Sequence, residues 1–314
     1  MRIVVTGGAG FIGSQIAAAY IENGHTVAVV DDLSSGREKN VPECAEFAKI
    51  HITDRDEIGS FWRDFEPDIV NHHAAQIDVR KSVQNPVFDA RVNILGSLNV
   101  IKSSMDTGVK KIIYASTGGA IYGDAENLPA SESYPPRPLS CYGTSKHAVE
   151  GYLATFARLD GLDYTVLRYA NVYGPRQRSD GEAGVVAIFA GQMFSGIRPT
   201  IFGDGTKTRD YVYVGDVVAA NRIVLDSGSG VYNIGTGVQT TDQEVFDAVA
   251  DAVGYDEEPI YADERPGEVH HIALDISRAR DDLGWQPTVD FRDGVKRTIE
   301  YMRGQLDSAE TRHG

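Results

Sequence analysis

Residues 4–14 read VVTGGAGFIGS, and the fold turns on how this stretch is understood. It lies where the apolar, β-branched run RIVVTG (2–7) gives way to a helical pattern over residues 13–23. Two glycine spacings fit: G-x-x-G-x-x-G through Gly7, Gly10 and Gly13, and G-x-G-x-x-G through Gly8, Gly10 and Gly13. Glycine permits a tight turn and lets backbone N–H groups approach an anion, which the positive end of the following helix also favours. Alone, such a motif is no more than a tight strand–helix turn. A second strand-like run, HTVAVVD (25–31), closes on Asp31 and Asp32 about 20 residues further on, and that context predicts a dinucleotide site with Phe11 and Ile12 in the same turn. Asp31 would accept hydrogen bonds from ribose hydroxyls, and its charge repels a 2′-phosphate. NAD is therefore expected over NADP. Arg37 softens that preference without reversing it.

Working outward, DIVNHHA (68–74), KKIIYAST (110–117) and DYTVLRYAN (163–171) are also short, β-branched and almost continuously apolar. Such runs suit strands buried on both faces of a parallel sheet. Helical patterns alternate with them, as over residues 93–108, so the expected class is α/β, a doubly wound parallel sheet of Rossmann type. After about Asn171 the rhythm changes. VYGPRQRSDGEAG reads as a loop, residues 185–195 as a helix, PTIFGDGTKTRDYVYV as a hairpin, GVYNIG (230–235) as a strand, and a helix is expected from Thr241. The expected division is a dinucleotide-binding domain over 1–171 with a return segment at about 211–235. A smaller α/β substrate domain takes 172–210 and 236–304, and 305–314 forms a polar tail.

At 314 residues, 42% hydrophobic and 24% charged, the chain has the composition of a soluble globular protein. No run is long and apolar enough for a membrane span, and no secretory leader pattern is present. A net charge of -15 argues against nucleic acid or an anionic membrane as partner. It fits a solvated acidic surface or a salt-adapted host. Cys44 and Cys141 have neither a C-x-x-C nor a metal-ligand spacing, so no metal site is expected and a reducing cytoplasm suits both.

The chemistry-bearing pair is in YGTSK, where Tyr142 and Lys146 stand four residues apart and share a helix face. A tyrosine becomes a base only when its pKa falls, and a lysine ammonium beside a positive nicotinamide ring would favour the phenolate. Most Tyr–Lys pairs at this spacing are surface packing. Following a dinucleotide fold and a Ser/Thr strand end, the pair reads as catalytic.

With these residues in view, the chain resembles the extended short-chain dehydrogenases/reductases, and within them the nucleotide-sugar epimerase/dehydratase family, from Met1 to about Ile299. The matching stretches are TGGAGFIG, HHAAQIDVRKSV, VNILGSLNV, YGTSK, LRYANVYGPRQ, IFGDGTKTRDYVYVGDV, YNIGTG and RPGEV with DISRARDDLGWQP. The resemblance implies an isomerase with tightly held NAD acting on a UDP-sugar. Tyr142 would take the 4-OH proton, Lys146 would hold the nicotinamide ribose, and a hydroxyl near the end of 110–117 would hold the 4-oxygen. It also implies cofactor contacts from Ile52, Ala74 and Asn93, with Ser82 beside the nicotinamide loop. Asn171 and Phe202 would meet the nucleotide sugar, and Arg209 and Arg265 its phosphates. A homodimer is implied through the helices after Asn93 and Tyr142, with Ala148, Tyr152 and Phe156 suiting that face or intrachain packing equally.

Departures from the family pattern narrow the chemistry. His51 stands where relatives carry an acidic adenine-side residue, and reads as an adenine contact or a plain loop histidine. Cys141 replaces a frequent Pro and Ala170 a frequent Phe. STGGAIYG (116–123) has no carboxylate, whereas dehydratases carry an Asp–Glu pair there and decarboxylases tend to carry Glu. Reversible oxidation at C4 remains, that is, interconversion of UDP-glucose and UDP-galactose. A glucuronate epimerase or decarboxylase, or a non-catalytic dinucleotide sensor, is the alternative. Ile272 takes the place of a bulky Tyr in some relatives, so N-acetylated sugars are expected to fit as well. Counted back from Tyr122, the family's hydroxyl falls on Gly118. Thr117 is then the expected hydroxyl, and Ser116 the second choice.

Overall fold

The computed structural model describes residues 1–180, 184–265 and 269–310. Its centre is a seven-stranded parallel sheet of β1 (Arg2–Thr6), β2 (Thr26–Val30), β3 (Glu46–Ala48), β4 (Ile69–His72), β5 (Lys111–Thr117), β6 (Asp163–Tyr169) and an edge strand, Gly230–Ile234. The spatial order is edge strand, β6, β5, β4, β1, β2, β3. β1 pairs in parallel with both β2 and β4. The strand order therefore reverses beside β1, and in open α/β sheets ligands lie in the crevice at that switch point.

Alternation along the strands builds two cores. Ile3, Val5, Val29, Ile113 and Leu167 face α1 (Phe11–Glu22) and the helix Val214–Ile223, where Ile16, Tyr20, Val217 and Ala220 are buried. Val4, Val30, Val70, Ile112 and Val166 face the other way, against Trp62, Val100, Val149 and Leu153. Strands buried on both faces explain the continuous apolar runs. A third cluster, with Phe189, Met193, Ile201, Phe246, Val249 and Ile299, lies among residues 173–299.

Three expectations change. Residues 199–214 do not form a hairpin: Thr200–Phe202 pairs in parallel with Ile260–Ala262, Thr208–Arg209 pairs antiparallel to Thr240–Thr241, and Tyr211–Tyr213 pairs in parallel with Asn171–Tyr173. Each short strand meets a partner remote in sequence, which no turn signal announces. The helical pattern at 93–108 is a π-helical turn, Arg91–Gly96, followed by the α-helix Ser97–Asp106. The last helix, Phe291–Glu310, continues past Gly304 into the expected tail. Gln, Leu, Ala and Glu there are good helix formers, so a mostly polar segment still continues the helix. Residues 311–314 lie outside the described part.

Candidate active site

The glycine turn makes a cradle. Gly7 has φ 70° and accepts a hydrogen bond from Gly10 N–H at 3.1 Å. A Cβ on Gly7 would lie 2.6 Å from Ala74 N, and one on Gly13 would run into the Gly7 carbonyl, so both positions exclude any side chain. Asp31, at the end of β2, accepts from Ala9 N–H (3.0 Å) and Leu33 N–H (2.8 Å). Burial raises its pKa above the usual carboxylate value, against the pull of those two donors. The cleft at this point has a volume of about 530 Å³, and Gly7, Gly10, Phe11, Ile12, Gly13, Asp31, Ile52 and Ala74 line it. A concave site of this size, with a backbone anion cradle at one end and a carboxylate at the adjoining strand end, fits a dinucleotide. Arg37 and His51 line it too, and His51 Nε2 lies 3.4 Å from Asp32. His51 Nδ1 accepts from Thr53 N–H, so the ring is held rather than loose.

Tyr142 and Lys146 lie on the helix Cys141–Asp160 and open into the same cleft. Ser140 caps the helix by accepting from Gly143 N–H, and Gly161 ends it in a left-handed conformation. Ser82 accepts from Tyr142 N–H at 3.0 Å, so its hydroxyl fixes the backbone that carries the tyrosine. Lys146 Nζ donates to the Ala115 carbonyl at 2.9 Å and stands 6.0 Å from the centre of the Tyr142 ring. Burial lowers Lys146 to about 8, although Asp89 and Glu150 pull it upward. Burial raises Tyr142 above its ordinary phenol value, and Asp89 adds to that. The protein groups alone therefore do not supply the expected depression of Tyr142.

The two hydroxyls differ. Ser116 lines the cleft, yet its Oγ donates to Glu150 at 2.6 Å, and Glu150 also holds the buried Arg168 through bonds of 3.0 and 2.6 Å. Thr117 is the N-cap of the short helix Gly118–Ile121: its Oγ1 accepts from Ala120 N–H at 3.2 Å, and its hydroxyl hydrogen has no acceptor among the described residues. Thr117 is not among the residues lining the cleft. It neighbours Asn171 instead, since a Cβ on Gly119 would lie 3.3 Å from Asn171 Oδ1 and 3.9 Å from Thr117 Oγ1. Gly118 has a different partner. A Cβ there would lie 2.5 Å from the Leu274 side chain, so the room for a serine at this position is already filled.

Asn93 does not line the cleft. Its side chain accepts from Gln76 N–H (2.8 Å) and donates to Gln76 O (2.9 Å) and Asp89 (2.9 Å), pinning the loop after β4. Asp89 also accepts from Ser145 at 2.6 Å and so ties that loop to the helix bearing Tyr142 and Lys146.

The residues expected to meet substrate are not among those lining the cleft. Asn171 N–H donates to Asp210 O at 2.8 Å. The Arg265 guanidinium lies 3.5 Å over the Phe202 ring, and Arg209 donates to the Thr208 and His270 carbonyls. Ile272 is 1% exposed within the core, because its backbone N–H is held by Thr208 O and its side chain is taken up by packing. It forms no part of the cleft wall. Ala170 is buried as well. The motif RPGEV falls partly on 266–268, outside the described residues.

The sequence reading missed Asp89, His73, Tyr169 and the segment 174–180. Arg176 has φ 70° and donates to Ser14 Oγ at 3.0 Å, Gln15 donates to Pro175 O at 2.9 Å, and Arg178 donates to Ser35 O at 3.0 Å. This segment crosses the glycine turn, and Arg176, Gln177 and Arg178 line the cleft. Its basic residues in an otherwise acidic chain were the available signal.

Residues 3–235 match the model of the NAD dependent epimerase/dehydratase family, and the chain belongs to that family. The UDP-glucose 4-epimerase of Thermotoga maritima, solved with UDP-glucose, is 49% identical with a TM-score of 0.96, and the match covers 98% of this chain and 100% of that one. The UDP-glucose 4-epimerase of Thermus thermophilus, solved with NAD, is 44% identical with a TM-score of 0.93, covering 97% and 99%. A UDP-N-acetylglucosamine 4-epimerase from Methanobrevibacter ruminantium, in complex with UDP-N-acetylmuramic acid, is 35% identical with a TM-score of 0.91, covering 97% and 98%.

Proposed function

We propose that the protein is an NAD-dependent UDP-hexose 4-epimerase that interconverts UDP-glucose and UDP-galactose. The observation that carries this reading is the meeting of Tyr142 and Lys146 at the dinucleotide cleft beside a strand end whose own residues, 116–123, carry no carboxylate, the nearby Glu150 being tied up by Arg168. Eliminating water or carbon dioxide needs a further acid or base at that point. Moving a hydrogen off C4 and back does not.

When bound, NAD would supply the hydride acceptor and donor. Tyr142 takes the 4-OH proton as the C4–H bond breaks and returns it when the 4-keto sugar is reduced on its other face. Lys146 offsets the burial that favours the neutral phenol and holds the nicotinamide ribose. Thr117 holds the 4-oxygen, for which its uncommitted hydrogen suits it, and Ser116 keeps Glu150 and Arg168 in place. Asn171, Phe202, Arg209 and Arg265 bind the UDP moiety. Oxidation and reduction balance within one turnover, so the cofactor stays bound. Proton NMR of UDP-galactose with the protein tests the reading: a new anomeric signal of UDP-glucose is expected, and no product overturns it.

Acceptance of N-acetylated sugars forms part of the proposal, supported by the N-acetylglucosamine epimerase among the neighbours. Lack of turnover of UDP-GalNAc by protein active on UDP-Gal would remove that part. A cytoplasmic homodimer is also proposed. Its support is that no helix among the described residues is long and apolar enough to cross a membrane, and that Val83, Val87, Leu95 and Tyr152 are exposed on the helices before and at Tyr142.

A further inference from the structure

One buried line of polar side chains runs from the back of the sheet to the cleft. Asn71 of β4 donates to the Tyr20 hydroxyl (2.7 Å) and to Asn221 Oδ1 (2.9 Å), and Tyr20 donates to Asn221 O (3.1 Å). Asn221 Nδ2 donates to the Val217 carbonyl (2.8 Å), which settles the orientation of the amide, and to the Tyr169 hydroxyl (2.8 Å). Tyr169 then has one hydrogen to place, and the acceptor it meets is His73 Nε2 at 3.0 Å. His73 Nε2 therefore carries the lone pair and Nδ1 the hydrogen. That Nδ1 is buried and has no partner among the described residues.

A buried donor left unpaired costs about 1–3 kcal/mol, and native chains rarely keep one without a ligand or water to meet it. Burial, with help from the Lys146 charge, lowers His73 to about 3, so it stays neutral with a single N–H. The residue lines the cleft with Tyr169 and Lys146, and its backbone packs against the cradle: a Cβ on Gly7 would lie 2.8 Å from His73 C. We infer that His73 is a cofactor-binding residue, held in one tautomer by Tyr169 and Asn221 so that its Nδ1–H donates to an acceptor atom of the bound dinucleotide. The inference rests on the NAD reading above. It explains why HHAA carries a second histidine, and why polar groups from four separate elements are buried behind it.

The test is calorimetric titration of nucleotide-stripped protein with NAD, together with the thermal midpoint of the stripped protein. His73→Phe is expected to weaken NAD binding about tenfold, the loss of one hydrogen bond, and to lower the midpoint somewhat, since the buried Tyr169 hydroxyl loses its acceptor. His73→Asn, which can place an amide N–H near Nδ1, recovers most of the affinity. Wild-type NAD affinity in His73→Phe would make the histidine a packing residue and overturn the inference. If His73→Phe does not fold, Tyr169→Phe decides, since freeing the tautomer must then weaken NAD severalfold and unchanged affinity overturns the idea. A wild-type protein that binds no NAD would instead remove the cofactor reading itself.

Discussion

At the scale of single residues, the two neighbouring hydroxyls at the end of β5 differ in their partners, and the proposed role of Thr117 rests on that difference. Ser116 gives its hydrogen to a buried carboxylate, whereas Thr117 only accepts from a backbone N–H. Thr117→Ala is expected to lower turnover about 10²-fold with NAD binding intact, as for a lost acid–base group, and steady-state rates with a titration of NAD check it. Ser116→Ala should act on stability instead, by about 1.5–3 kcal/mol for a bond to a charged group, read from denaturant midpoints with turnover within a few-fold of wild type. Lys146 gives a pH prediction. Its folded pKa of about 8 lies below the 10.5 of an unburied lysine, so the buried ammonium costs stability below pH 8. Between those values the unfolded chain holds more protons than the folded one, and stability rises with pH. Relative to Lys146→Met, the wild type should gain stability from about pH 8 to about pH 10, while its turnover falls as the cation is lost. Denaturation and rates over that range read both.

At the scale of elements, the strand–turn–helix at residues 2–22 was legible because glycine spacing, β-branched runs and the acidic end of β2 all report local geometry. The end of β5 was not. Its pair of glycines serves two distant neighbours: Gly118 yields to Leu274, and Gly119 lets the chain pass close to the Asn171 side chain. Gly118→Ser, which restores a hydroxyl at the position usual in the family, should destabilise the protein by about 1–3 kcal/mol through overpacking. Adding Leu274→Ala should relieve part of that strain, and a double-mutant cycle of unfolding free energies measures the coupling. Additive effects would mean that the two side chains do not compete. The expected hairpin at 199–214 failed for a related reason. Strands of two or three residues owe their pairing to partners far along the chain, not to local pattern.

At the scale of the whole molecule, several exposed apolar side chains lie on the helices before and at the catalytic pair, where Leu95 is 56% and Val87 71% exposed. A patch of this kind on a chain of net charge -15 is a candidate interface, since like charges elsewhere keep copies apart. On the proposed dimer, Leu95→Arg should shift the protein to a monomer in light scattering after size exclusion, and an unchanged mass would place the interface elsewhere. The patch adjoins the helix that holds Tyr142 and Lys146, so the monomer is also expected to turn over more slowly.

The amino-acid order by itself determined the parallel sheet, the dinucleotide turn and the Tyr142–Lys146 pair. Each depends on residues a few positions apart, and strand and helix periods carry that information. Tertiary structure alone decided that Asn93 pins a loop, that Ile272 packs inward, that Ser116 is committed to Glu150, and that His73 is left with one unpaired donor. These are questions of which buried group meets which. Burial makes an unmet hydrogen bond costly, and the partners that meet it lie 34 residues away for Ser116 and 96 for His73.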